Sequence, residues 1–106
     1  MKKISIARDF SVTPGFRYPL EGPFSGQDFR DKHLSPLFDQ QNDDSLIEIN
    51  LDGVAGYATS FLEEAFGGLA RKYGVDRCLF RLRFISEEEP LLPSEIINYI
   101  KNTIKR

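Results

Sequence analysis

Apolar and polar residues alternate along three stretches of the chain and recur at helical spacing along three others. In "KKISIARDF", Ile4 and Ile6 alternate with Lys3, Ser5 and Ala7; in "SLIEINLDG", Ile47, Ile49 and Leu51 alternate with Glu48, Asn50 and Asp52. In "RCLFRLRFI", Cys78, Phe80, Leu82 and Phe84 alternate with Leu79, Arg81, Arg83 and Ile85. A period of two predicts strands with one apolar side. Helical spacing places Phe29, His33 and Leu37 on one stripe, with Leu34 and Phe38 beside it. It does the same for Leu62, Ala65, Phe66, Leu69 and Tyr73, and for Ile96, Ile97, Ile100 and Ile104, so three helices are expected. The last should also end favourably, with Lys101, Lys105 and Arg106 at the negative pole of its dipole.

Turn signals divide these elements. Pro14-Gly15 in "SVTPGF" suits a type II turn, after which a short strand over Phe16–Tyr18 would pair back as a hairpin. Ser25 is placed to cap the first helix, with Asp28 in its first turn. Pro36 should end or kink that helix, and Ser35 could cap a second short turn. The strand, helix and strand between residues 46 and 85 then form a βαβ unit with parallel strands and a right-handed crossover. Strands that alternate have one covered face. The open face should carry Lys3, Ser5, Glu48, Asn50, Arg81 and Arg83. The expected fold is α/β: a small mixed sheet with about three helices covering one face, in a single domain over residues 1–106.

Charge and composition narrow the function. A net charge of −2 gives no basis for nucleic-acid binding. One cysteine makes no internal disulfide and suits a reducing compartment. No apolar run approaches the ~20 residues of a membrane span, and Arg8 and Asp9 interrupt any leader-like start. These features together predict a soluble, bacterial-type cytoplasmic domain without cofactor or metal. Nor is there a nucleotide loop or a cluster with metal-ligand spacing. His33 reads as a packed or surface side chain. Cys78, on the apolar side of its predicted strand, reads as inert.

Most of the remaining chemistry lies in "LDGVAGYATSFLEEAFGGL", residues 51–69. Ser60 followed by Glu63 has the spacing of a capping box, which is a structural use of the serine. The same turn also follows a parallel strand at its carboxyl end, where ligands and partners meet α/β folds. Thr59 and Ser60 would stand at the positive end of a helix, where a phosphate is accommodated. Phosphorylation would add about −1.5 to −2 charges there, and Glu63 and Glu64 just beyond would resist it. The Gly67-Gly68 pair costs ~1 kcal/mol per glycine against alanine in a helix. Close approach of the helix to the sheet or to a neighbouring element would offset that cost.

"INLDGVAGYATSFLEEAFGGL" resembles the central segment of STAS domains, the family of bacterial anti-sigma-factor antagonists. Ala58-Thr59-Ser60-Phe61-Leu62 takes the place of their "D-S-S-G-L" motif, and Ser60 falls where they carry a phosphorylated serine. Ala58 replaces the family's Asp and Phe61 its Gly. The chain is closer still to the STAS-like domains of unknown function, through Arg8-Asp9-Phe10, the Gly22–Arg30 stretch and Thr59–Leu69. The resemblance implies a non-catalytic regulatory module that binds a protein partner, of the histidine-kinase-like ATP-binding type. Ser60 and Thr59 are then the candidate phosphoryl acceptors. Tyr57, Phe61, Glu63, Glu64, Ser25 and Arg30 are the candidate partner-binding residues. Two rival readings stand beside this one: a constitutive subunit of a larger complex in which Ser60 is only a helix cap, and an enzyme with an unrecognised site.

Overall fold

Three strands lie side by side in the order β1 (Lys2–Ser5), β2 (Ile47–Asn50) and β3 (Leu82–Ile85). Both pairings are parallel, so the expected mixed sheet is wholly parallel among the described residues. A computed structural model of the chain describes residues 1–40 and 42–103. Ile4, Ile47, Ile49 and Leu82 are buried against the helices. On the other face Lys3, Glu48 and Arg83 stand in register, a row of alternating charge across all three strands.

The first strand is shorter than its alternation suggests. Ser5 Oγ accepts from the N–H of Arg8 at 3.2 Å, and Asp9 accepts from the N–H of Ser5 at 2.8 Å. These bonds turn the chain into a helical turn, α1 (Ile6–Asp9). Hydrogen bonds from Arg8 and from the Ser5 backbone hold the Asp9 carboxyl down at about 2. The predicted hairpin strand at 16–18 does not form. Instead Phe16 O accepts from Gly26 N–H and Arg17 O from Gln27 N–H, both at 3.1 Å, lacing the loop to the next helix. Phe16, rather than Gly15, takes the left-handed conformation, at φ 63°.

Helix α2 spans 26–38. Its N-terminal segment Gly26–Phe29 is capped as predicted, Ser25 Oγ accepting from Asp28 N–H at 3.1 Å. A π turn over Arg30–Leu34 follows, in which Ser35 N–H reaches back to Arg30 O. Pro36 has no N–H for Lys32 and its ring would press on that carbonyl. The wider turn relieves both problems, so the helix continues through the proline to Phe38. Ser35 does not cap anything; its hydroxyl is buried without a partner.

Helix α3 spans 59–73 and contains a second π turn, Glu63–Gly67. Gly74, at φ 100°, separates it from α4 (Val75–Arg81). This second helix occupies much of the predicted third strand. Val75, Cys78, Leu79 and Leu82 also fit helical spacing, and a short apolar run satisfies both periods. Cys78 is therefore buried from a helix, and burial pushes its thiol up to about 12. Arg81, expected on the open sheet face, is instead fully buried. Its guanidinium donates to Ser45 O at 2.9 Å and Leu37 O at 3.0 Å and lies 4.7 Å from the Phe38 ring centre. The final helix, α5 (Leu92–Lys101), buries Ile96 and Ile100. Ile104, Lys105 and Arg106, predicted to extend it, lie outside the described residues. Among the described residues no helix is long and apolar enough to cross a membrane.

Candidate functional site

The turn from β2 to α3 sits at the carboxyl end of the sheet and is fastened from two sides. Asp52 accepts from the N–H groups of Glu87 and Glu88 at 3.0 and 2.9 Å. Gly53, at φ 86°, donates to Glu88 Oε1 at 2.6 Å, and Ala55 donates to Val12 O at 2.8 Å. Tyr57 is half-buried, with its hydroxyl donating to Leu51 O at 2.7 Å. Burial, then the charges of Glu89, Asp52 and Glu88, raises that hydroxyl's pKa.

At the end of this turn Ala58 occupies the cap position in extended conformation, and no side chain caps α3. Thr59 is exposed and Ser60 half-buried. The predicted Ser60–Glu63 capping box is absent, for two reasons. Ser60 already lies inside the first helical turn, and Glu63 turns toward Arg17 and Arg71. Phe61, expected as a surface anchor, is wholly buried beside the rings of Phe10, Phe29 and Tyr57. Its place in the core removes it from any docking surface.

The remaining expected site residues form a seam between α2 and α3. Arg30 donates to Glu64 Oε2 at 2.5 Å and to Glu64 O at 2.9 Å. Arg17 bridges Glu63 and Glu64, and Arg71 reaches Glu63 at 2.6 Å and Glu64 at 3.6 Å. Burial would raise the Glu63 carboxyl, but hydrogen bonds from Arg71 and Arg17 outweigh it and hold the group below the usual range. Thr103 closes the cluster, accepting from Arg71 at 2.8 Å and donating to Gly67 O at 2.9 Å. Glu64 is buried, as is the cap Ser25. Four of the candidate partner-binding residues, Ser25, Arg30, Glu63 and Glu64, are thus held by bonds within the fold. The two glutamates expected to resist a phosphate at Ser60 are paired with three arginines.

The glycines make this seam possible. A Cβ at Gly26 would stand 2.5 Å from Phe61 O and 3.0 Å from Glu64 Cβ, so α2 crosses α3 at this point. A Cβ at Gly67 would stand 2.5 Å from Glu63 Oε2, and one at Gly68 would collide with Arg30 Nη1. The compensation for two helical glycines is room for ion pairs, rather than contact with the sheet. Sequence reasoning missed Arg71 and the pairing of Arg17 with the two glutamates. The available signal was the four-residue spacing of Glu63 from Gly67 and Glu64 from Gly68, which clears space beside each carboxylate.

His33 packs against Phe10 and Phe29, at ring separations of 5.7 and 5.5 Å, and its pKa is lowered chiefly by burial. Among the described residues no group of His, Cys, Asp and Glu is arranged to hold a metal ion. No curated protein and no solved structure matches the chain. Residues 25–92 match the family described as the STAS-like domain of unknown function, DUF4325. That stretch opens on the cap of α2, takes in Arg30, Glu63, Glu64 and Arg71 of the seam and the uncapped turn, and ends at the start of α5; the chain belongs to this family of STAS-like domains.

Proposed function

We propose that the chain is a non-catalytic regulatory module that binds a protein partner through the exposed turn at 52–60, and that phosphorylation of Ser60 or Thr59 releases it. The observation that supports this reading is the uncapped start of α3. Ala58 leaves the first N–H groups without a side-chain acceptor, while Thr59 is exposed and Ser60 half-exposed beside them. A phosphate at either hydroxyl has backbone donors and the helix dipole at hand. It also adds charge to an edge where Glu87 and Glu89 are already exposed. A partner that meets this edge through cationic residues would dock on the unmodified turn and lose its fit on the modified one. By resemblance to STAS antagonists, that partner is a cytoplasmic histidine-kinase-like ATP-binding protein.

The test compares tagged wild type, Ser60→Ala and Ser60→Asp as baits in host extract, with the captured proteins quantified by mass spectrometry. An ATP-binding protein held by the first two and lost from Ser60→Asp is the expected result. Asp in a first helical turn favours the dipole, so the variant should fold, and its melting temperature checks that. Equal capture by all three baits, or capture of no such protein, overturns the proposal.

A further inference from the structure

β1 is an edge strand, and its outer side is open as a groove of about 420 Å³. Lys2, Lys3 and Arg8 stand on one wall, with Lys32, Pro36 and Leu37 from α2 on the other. Arg8 is paired with Asp9 at 2.9 Å. Lys2, Lys3 and Lys32 are exposed and, among the described residues, make no ion pair. A second hollow of about 390 Å³ shares Asp9, Lys32 and His33 with the first and continues to Phe10, Pro23, Phe24 and Asp28, so its Phe24 end suits an apolar side chain rather than a carboxylate. Phe24 holds a left-handed backbone, φ 58°, which bulky residues rarely adopt. Its ring stays 43% exposed at the rim of this hollow and meets Phe10 edge-on at 5.6 Å.

We propose that these adjoining hollows dock an extended acidic segment of a partner protein, its carboxylates on Lys2 and Lys32 and an apolar side chain on Phe24. The site is separate from the turn at 52–60 and does not depend on that turn's role. Lys2 and Lys32, on the two walls and without an ion pair among the described residues, call for negative charges spaced along a chain, which a single small anion does not supply. The backbone adds a little. Lys2 N–H is turned inward to Leu46 O, so alternation turns the N–H and C=O of Lys3 outward to the groove. Ser5 N–H is already taken by Asp9. With one open backbone position, recognition rests on charge and weakens with salt. Lysines on an edge strand also discourage pairing with neutral strands, and an acidic strand removes that obstacle.

A short fluorescein-labelled peptide of alternating Glu and Val ending in Phe tests the proposal by anisotropy. Its counterparts carry Ser or Lys in place of Glu, and a short single-stranded RNA serves as a second polyanion. The Glu peptide should bind roughly tenfold or more tightly than the Ser peptide, lose affinity as salt rises, and shift the backbone amides of residues 2–4. The double variant Lys2→Glu, Lys32→Glu should abolish this binding with an unchanged melting temperature. Phe24→Ser should weaken it without affecting its salt dependence. Equal binding of the Glu and Ser peptides, binding unaffected by the double variant, no binding of any peptide, or tighter binding of the RNA would each overturn the proposal.

Discussion

The Arg30 guanidinium donates both to the carboxylate of Glu64, at 2.5 Å, and to the backbone carbonyl of the same residue, at 2.9 Å. This double contact joins helix α2 to helix α3, both within the stretch that matches the STAS-like family. Glu64 is buried and Arg30 nearly so, with side-chain exposures of 8% and 14%. Removing the Glu64 charge leaves three arginines around one neutral acceptor, with Arg30 then paired only with the more exposed Asp31 at 3.3 Å. Glu64→Gln should therefore cost ~3 kcal/mol, read as a lower urea midpoint with an unchanged slope.

Gly26→Ala provides a test in which helix propensity and packing have opposite signs. Alanine is favoured over glycine in a helix by ~1 kcal/mol. The added methyl would meet Phe61 O at 2.5 Å, and backbone cannot swing aside as a side chain can. Forcing α2 off α3 should cost ~2 kcal/mol, so the net change is destabilising. Calorimetry showing a raised melting temperature would contradict this crossing of the helices.

Glu63 gives the seam an acid limit. Its folded pKa lies below the ordinary 4.5, so at lower pH the unfolded chain binds the proton more readily. The stability it contributes is present above about 4.5 and is lost as pH falls through the depressed value. Glu63→Gln should narrow the difference in unfolding free energy between pH 6 and pH 3 relative to wild type, as measured by urea titration at about those two values.

The buried Arg81 ties two carbonyls, Leu37 O at the end of α2 and Ser45 O in the loop before β2, to the start of β3. Arg81→Met retains most of the apolar stem but leaves those acceptors unpaired. The expected loss is ~3 kcal/mol. Amide exchange should quicken first around residues 43–46 if the guanidinium holds that loop.

Elements with a single consistent period were legible in the sequence. β2 and α3 are of this kind, and so are the buried face of the sheet and the Ser25 cap. The remaining errors have specific causes. Residues 75–81 satisfy helix and strand spacing together, and Gly74 decides for the helix. Ser5 and Asp9 end β1 through side-chain bonds that alternation does not register. Glu63 and Glu64 read as capping and partner-binding residues because their partners, Arg17, Arg30 and Arg71, are distant in sequence or hidden by helix geometry. Thr59 and Ser60 were placed correctly at the start of a helix. Ala58, not Ser60, turned out to hold the cap.

The most direct measurement follows the purified chain and its captured ATP-binding partner after ATP is added, recording intact mass and complex size over time. The account predicts one phosphoryl group on Ser60 or Thr59, appearing as the complex dissociates, and neither event in Thr59→Ala, Ser60→Ala. A complex that persists on the modified chain, or a chain that is never modified, would contradict it.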